Sequence, residues 1–159
     1  GYLAGDFVRD KDAVVASMLV CEMAAYHKAH GKTLYDALID LYEKFGYLSE
    51  AVMNVAFKGI EGSGKMKELI ATWRNDPPAE IGGVKVTEVR DYMTYVGKIK
   101  LPKENAIFFF LENGNWFCLR PSGTEPKLKI YISAKGSDRA EAEKAYEKLS
   151  GDISALISR

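Results

Sequence analysis

Short apolar segments follow one another in the second half of the chain, with only turn-forming residues between them. Residues 106–111 are dense in aromatic side chains, and Asn113-Gly114 separates them from residues 115–120, which are apolar between Asn115 and Arg120. Asn-Gly at such a position is typical of a two-residue hairpin turn of type I′. Residues 127–133 alternate between polar and apolar side chains, as a half-buried strand does. Since no helical segment separates these strands, the sequence predicts an antiparallel sheet.

Helical patterns precede and follow the predicted strands. Asp10 and Asp12 stand before an apolar run, and each can cap a first helix that ends at Gly31. The apolar face of this helix is broad, which predicts that the helix is well buried. A second helix is predicted over residues 33–46, with Thr33 as its cap. Further along the chain, the patterns predict strands over 48–58 and 84–90, a helix over 63–74 capped by Ser63, and a helix over 138–157.

These elements divide the chain into a helical unit, residues 1–46, and a larger unit, residues 47–159. The larger unit is predicted to have an α+β fold, in which an antiparallel sheet of about four to five strands packs against helices on one face. The helical unit is too small to form a domain of its own. The chain begins with Gly1 rather than Met, so we expect it to be a piece of a longer protein.

Composition excludes several classes of protein. Of the 159 residues, 47% are hydrophobic and 28% are charged, which is typical of a globular protein. The 22 basic and 22 acidic residues cancel, whereas a protein that binds nucleic acid through its phosphates carries a basic excess. The longest apolar run, residues 13–25, contains Glu22 and is too short to span a membrane. We therefore expect neither a nucleic acid nor a membrane as partner.

The connection between the last two predicted strands, residues 120–126, has a chemistry suited to binding an oxyanion. Arg120 offers a planar fork of donors that matches two phosphate oxygens, and Ser122 and Thr124 add hydroxyl donors. Gly123 allows backbone amides to approach a ligand closely, and Lys127 and Lys129 add positive charge on the polar face of the strand after the loop. From the residues alone, a rigid turn with a surface arginine is an alternative interpretation.

Two segments resemble a known family. The sequence Arg-Pro-Ser-Gly-Thr-Glu-Pro of residues 120–126 resembles the phosphate-binding loop in the C-terminal domain of the alpha-D-phosphohexomutase superfamily, the phosphoglucomutases and phosphomannomutases. Residues 1–12 resemble the stretch after the sugar-recognition loop in the third domain of that family. The resemblance implies that residues 1–46 are the C-terminal helical part of the third domain. It also implies that residues 47–159 are the complete fourth domain, whose fold is similar to that of the TATA-box-binding protein.

The resemblance also implies a function. Enzymes of this family are isomerases that interconvert hexose 1-phosphates and hexose 6-phosphates through a phosphoserine, Mg²⁺ and a bisphosphate intermediate, glucose 1,6-bisphosphate. A clamp for the substrate phosphate is implied at Arg120, Ser122, Gly123, Thr124 and Lys127. Lys11 and Arg9 are implied as further basic residues of the active site, although Lys11 can equally be a solvated charge beside a helix cap.

Several parts of such an enzyme are not recognisable in this sequence, namely a Ser-His sequence for the phosphoserine, closely spaced aspartates for Mg²⁺ and the sugar-recognition loop. We therefore expect hexose phosphates and the remaining domains of a longer enzyme as partners, and no turnover by this chain alone. The alternative is a free-standing binding module for phosphorylated ligands. Three or four charge-assisted hydrogen bonds contribute about 1.5–3 kcal/mol each, whereas association costs on the order of 4–15 kcal/mol. A single open loop should bind weakly, which favours the loop as one wall of a cleft.

Other features give weaker indications. Residues 59–66 nearly match a nucleotide-binding loop, but Met66 replaces the hydroxyl that binds Mg²⁺, and a helix-capping turn explains the same residues. Trp116 and Tyr131 are either packing residues or a surface on which a sugar or base stacks. His27 and His30 lack further residues for a metal site. The two cysteines, Cys21 and Cys118, lie in apolar runs, which predicts buried, reduced thiols and a cytoplasmic protein.

Overall fold

The computed structural model describes residues 4–6, 8–57, 59–97, 102–123 and 126–158. The chain forms two compact units, Gly1–Phe45 and Gly46–Arg159. The smaller unit is helical, and the larger one contains a sheet and two helices.

The smaller unit consists of α1 (Ala13–Ala29) and α2 (Leu34–Phe45). Asp12 caps α1, because its carboxylate accepts hydrogen bonds from the backbone N–H groups of Val14 and Val15 at 3.0 Å. Gly31, with a φ of 72°, follows the end of α1 as predicted. Thr33 and Asp36 cap α2 reciprocally, since each side chain accepts a hydrogen bond from the backbone N–H of the other.

The prediction that α1 is well buried is wrong, because none of its residues is buried in this structure. Val14 is 79% exposed, and Met18 is 59% exposed. A pair of helices cannot cover an apolar face that extends around much of a helix, since each helix shields only the side that faces its neighbour. Cys21 lies on this helix and is exposed, which corrects the prediction of a buried thiol at that position.

The larger unit confirms the predicted antiparallel sheet, with six strands rather than four to five. The elements are β1 (Tyr47–Ala56), α3 (Gly59–Asn75), β2 (Glu80–Ile81), β3 (Val84–Asp91), β4 (Ile107–Leu111), β5 (Trp116–Pro121), β6 (Lys127–Gly136) and α4 (Arg139–Ile157). Each strand pairs with its neighbours in the order β1-β6-β5-β4-β3-β2, and every pairing is antiparallel. The additional strand, β2, has only two residues, which is too short to give a recognisable pattern.

The hairpin between β4 and β5 forms where Asn113-Gly114 predicts it, but its turn is not of type I′. The backbone N–H of Gly114 donates to the carbonyl of Leu111 at 3.0 Å, and that of Leu111 donates to Asn115 at 2.9 Å. Of the two turn residues, only Gly114 has a positive φ, so the connection has three residues and a left-handed glycine. Positive φ at both central residues occurs instead at Gly82 and Gly83, between β2 and β3.

Both helices of the larger unit pack on one face of the sheet, as predicted. Phe109 and Phe117 are fully buried and stack with ring centroids 4.6 Å apart. Trp73 of α3 meets Phe109 edge to face at 5.5 Å. From α4, Leu149 and Ile153 join the same core. Because side chains alternate along a strand, every second residue points to the opposite side of the sheet. We call that side the open face.

The start of α3 differs from the prediction. The helix begins at Gly59, so Ser63 lies inside it and is not its cap. Gly62 faces the preceding segment so closely that a Cβ atom would lie 2.6 Å from the carbonyl carbon of Phe57. The glycine-rich residues therefore form the first turns of a helix, not the loop before a helix that a nucleotide-binding site requires.

Replacing the two internal glycines of α3 is expected to have opposite effects on stability. Gly62→Ala should lower the free energy of unfolding by about 1–3 kcal/mol, because its Cβ would meet backbone atoms. Gly64→Ala should raise it by about 0.5–1 kcal/mol, because its position is open and alanine is the better helix former. Urea denaturation followed by circular dichroism measures both. Effects of the same sign would contradict the close approach at Gly62.

Candidate functional site

The predicted phosphate-binding loop connects β5 and β6, two central strands of the sheet. Arg120 pairs directly with Lys129 across these strands, and Pro121 pairs with Leu128. The backbone N–H of Ser122 donates to the carbonyl of Lys127 at 2.8 Å and closes the loop. Since Leu128 is fully buried against the helices, Arg120 and Lys129 lie side by side on the open face.

The rest of the loop is anchored at its far end. The backbone N–H of Phe57, just after β1, donates to the carbonyl of Pro126 at 2.8 Å. Between the two anchored ends, Gly123 is exposed, and a side chain there would meet open space. Thr124 and Glu125 lie outside the described residues, so the predicted role of Thr124 stays a prediction. The described part of the loop is therefore fixed by backbone hydrogen bonds, while Gly123 faces solvent.

Arg120 is held by two neighbouring side chains on the open face. Its Nε donates to a carboxylate oxygen of Glu104 at 3.2 Å, and Tyr131 lies beside the arginine at the same cavity. The neighbouring Tyr131, first, and then Glu104 raise the pKa of Arg120 above its usual value. The arginine side chain remains 48% exposed. Because a guanidinium has five N–H donors, these two contacts leave donors for an anion.

A cavity of about 460 Å³ adjoins Arg120 on the open face. Phe108 of β4 forms much of its wall, with ring centroids 5.4 Å from Trp116 and 5.4 Å from Tyr92. Trp116 and Tyr131 are half-buried in this wall and lie outside the core between sheet and helices. The cavity is lined by Tyr92, Glu104, Ala106, Phe108, Trp116, Cys118, Arg120 and Tyr131.

The other predicted site residues lie in different surroundings. Lys127 is exposed at the start of β6 and makes a contact within the chain. Lys11 belongs to the smaller unit, where its exposed ammonium pairs with Asp10 at 3.1 Å. Arg9 is exposed in the same unit. The role of Lys127 in phosphate binding, and those of Lys11 and Arg9 as basic residues of the active site, stay predictions.

Lys129, which the sequence indicated as a further positive charge after the loop, is the cross-strand neighbour of Arg120. The structure also adds residues that sequence reasoning did not assign to the site. Glu104 precedes Arg120 by 16 residues and reaches it because β4 and β5 are adjacent. Tyr92 enters the cavity from the segment that follows β3. No local motif in the sequence marks Glu104 or Tyr92 as a site residue.

The thiol of Cys118 lies at the cavity but is buried between neighbouring strands. Burial raises its pKa to about 12, so the thiol is protonated near neutral pH. We expect iodoacetamide at pH 8 to alkylate the exposed Cys21 at least about tenfold faster than Cys118, because the thiolate is the reactive form. Mass spectrometry of tryptic peptides measures both rates. Equal rates in the folded chain would contradict this environment for Cys118.

Among the described residues, no group of three or more His, Cys, Asp or Glu side chains has the arrangement that a metal ion needs. None of the helices that these residues form is long and apolar enough to cross a bilayer.

Comparisons with known proteins identify relatives of this chain. A family described as phosphoglucomutase/phosphomannomutase, C-terminal domain, matches residues 71–149. A phosphoglucomutase of Staphylococcus aureus strain MRSA252 is 38% identical over 166 residues, which cover 99% of this chain and 29% of that protein. A phosphoglucomutase of strain bovine RF122 / ET3-1 is 39% identical over 144 residues, which cover 85% of this chain and 26% of that protein.

A solved structure shows the same fold. Parafusin from Paramecium, described as an exocytosis-sensitive phosphoprotein and phosphoglucomutase in its open form, matches 96% of this chain with a TM-score of 0.63 and 22% identity. The match covers 28% of the parafusin chain, so this chain spans less than a third of the length of its relatives. The family match over residues 71–149 and the phosphoglucomutase relatives lead to one conclusion: the chain belongs to the phosphoglucomutase/phosphomannomutase family.

Proposed function

We propose that this chain is the phosphate-binding part of a longer phosphoglucomutase or phosphomannomutase, which interconverts hexose 1-phosphates and hexose 6-phosphates. The observation that carries the proposal is the anchored loop after β5, with the charged and half-exposed Arg120 at its start. The phosphoglucomutase relatives, of which the chain matches 26–29%, support the enzyme class. The remaining domains of the longer enzyme and hexose phosphates are its partners.

The residues of this site bind and orient one phosphate group of the substrate. Arg120 donates hydrogen bonds from a group that stays charged at every physiological pH. Lys129, directly across the strand pair, adds a second positive charge on the same face. Gly123 leaves the backbone accessible at the loop tip. The site therefore contributes positioning and electrostatic stabilisation, which are the main terms in catalysis of phosphoryl transfer.

The transfer itself belongs to residues outside this site. In the proposed enzyme, a phosphoserine exchanges the phosphoryl group with the hexose, and glucose 1,6-bisphosphate is the intermediate. Mg²⁺ would supply charge neutralisation, but the described residues do not fit it, since they contain no suitable cluster of ligands. No step at Arg120 depends on the metal. We expect this chain alone to show no mutase activity.

Binding of glucose 1-phosphate to the chain tests the proposal. In a titration followed by amide NMR, we expect shifts at Ser122 and Gly123 and in the adjacent strands, with a Kd in the millimolar range. Glucose without phosphate serves as the control and should leave these signals unchanged. If glucose 1-phosphate leaves them unchanged as well, the proposed site is wrong. A Kd below about 10 μM would instead favour a free-standing binding module.

A further inference from the structure

The ion pair between Arg120 and Glu104 has the features of a contact that a ligand can replace. We propose that the Glu104 carboxylate competes with phosphate for Arg120, and that Tyr131 keeps the guanidinium in place when phosphate displaces Glu104. This proposal rests on the function proposed above, because it assigns two further residues to the same site. Glu104 and Tyr131 act through Arg120 and are positioning residues.

The geometry of the pair is that of a weak contact. The Nε–oxygen distance is 3.2 Å, which is longer than the 2.7–2.9 Å typical of charge-assisted hydrogen bonds. The two side chains are 48% and 52% exposed, so water screens their attraction. A phosphate group carries more negative charge than a carboxylate and can accept two parallel hydrogen bonds from a guanidinium. Phosphate is therefore able to replace Glu104 as the partner of Arg120.

The backbone around Glu104 is fixed, so the exchange requires only movement of its side chain. The N–H of Glu104 donates to the carbonyl of Tyr92 at 3.3 Å, and its carbonyl accepts from the N–H of Ala106 at 2.8 Å. Arg74 of α3 donates to Asp91 at 2.8 Å and to Asn105 at 2.7 Å, which fixes the same segment from the other side. A tethered carboxylate stays near Arg120 after displacement and can return when phosphate leaves.

Tyr131 differs from Glu104 because its hydroxyl is uncharged and does not repel phosphate. Its place is fixed by β6, where it pairs with Cys118 of β5, one of the strands that carry the site. The side chain is half-buried at the cavity. A contact between Arg120 and Tyr131, which line the same cavity, is compatible with a bound phosphate and restricts the orientations available to the long arginine side chain.

A second arginine–glutamate pair on the open face provides a matched control. Arg90 donates from Nε and Nη2 to the two carboxylate oxygens of Glu88, at 2.6 and 2.8 Å. The guanidinium also lies 4.4 Å from the ring centre of Phe110. This pair is bidentate and packed on an aromatic ring, and it belongs to β3 rather than to the phosphate loop. Removing its negative charge should not affect phosphate bound at Arg120.

Titration of the chain with inorganic phosphate tests the proposal, with amide NMR and the Nε–H signal of Arg120 as readouts. Glu104→Gln keeps an acceptor but removes the charge, and it should tighten phosphate binding by about two- to fivefold, more at low salt. Tyr131→Phe should weaken binding by about two- to tenfold. Glu88→Gln should leave it unchanged. In the wild type, the Nε–H signal should shift as its acceptor changes.

The outcomes separate this proposal from the proposed function. If Arg120→Ala binds phosphate as well as the wild type does, the phosphate site itself is misplaced. If Arg120→Ala loses binding but Glu104→Gln binds equally or more weakly, competition by Glu104 is refuted. Unchanged affinity in Tyr131→Phe refutes its positioning role. Amide spectra that match the wild type away from the site show that each variant is folded.

Discussion

Arg120→Ala is expected to abolish measurable binding of glucose 1-phosphate while leaving the fold intact. Each charge-assisted hydrogen bond contributes about 1.5–3 kcal/mol, so the loss of two lowers the affinity by about 100-fold or more. Stability should change by at most about 1 kcal/mol, since Arg120 is half-exposed and its ion pair is screened. Amide NMR measures the binding, and urea denaturation measures the stability.

Arg139→Ala is the matched control for this variant. Arg139 lies in α4, is 70% exposed and pairs with Glu143 at 2.8 Å, so its removal changes the net charge equally without touching the loop. In a longer enzyme that carries these residues, Arg120→Ala should lower kcat/KM by about 100-fold or more, and Arg139→Ala should not. Normal kcat/KM in Arg120→Ala would remove Arg120 from the site.

Phe109→Ala is expected to cause the largest loss of stability of any single change considered. The side chain is fully buried, stacks on Phe117 at 4.6 Å and meets Trp73 at 5.5 Å. Removing it leaves a cavity between the sheet and α3, which costs about 3–5 kcal/mol. Urea denaturation followed by tryptophan fluorescence isolates this effect, because Trp73 and Trp116 both lie in the larger unit.

The neighbouring Phe108 provides the comparison for this loss. It is half-buried on the open face, so Phe108→Ala should cost only about 1–2 kcal/mol. If Phe109→Ala does not fold, Phe109→Leu keeps most of the volume and should cost about 1 kcal/mol. Equal losses for Phe108→Ala and Phe109→Ala would mean that the helices do not cover the face to which Phe109 belongs.

Much of the larger unit could be predicted because its strands and helices have clear periodic patterns. The alternation of Leu128, Ile130 and Ile132 correctly indicated the buried face of β6. Turn type was harder, because Asn-Gly suits a two-residue turn and also a three-residue turn with a left-handed glycine. The burial of α1 was mispredicted. A broad apolar face shows that a helix is able to bury many side chains, but it does not show whether the chain contains other elements that cover them.

The site was predictable only where its residues form a contiguous motif. Arg120 and Ser122 stand in one short loop, and their chemistry is visible in the sequence. Glu104 and Lys129 approach Arg120 through the pairing of different strands, and a register one residue different would separate them. The aromatic cavity likewise needs residues from several strands and from the segment after β3.

Residues that face the core alternate along β5 with residues that face the cavity. Replacing one residue of this strand and deleting one therefore have different consequences. Phe117 and Leu119 belong to the core, while the alternate residues Cys118 and Arg120 face the cavity. A point mutation can therefore change the packing of the core without changing the cavity, or the reverse. Deleting one residue from this strand would exchange both sets at once, placing a guanidinium among the buried side chains and leucine beside the ligand. A change in the length of β5 is therefore expected to disrupt the core and the site together, whereas a single substitution in this strand affects only one of them.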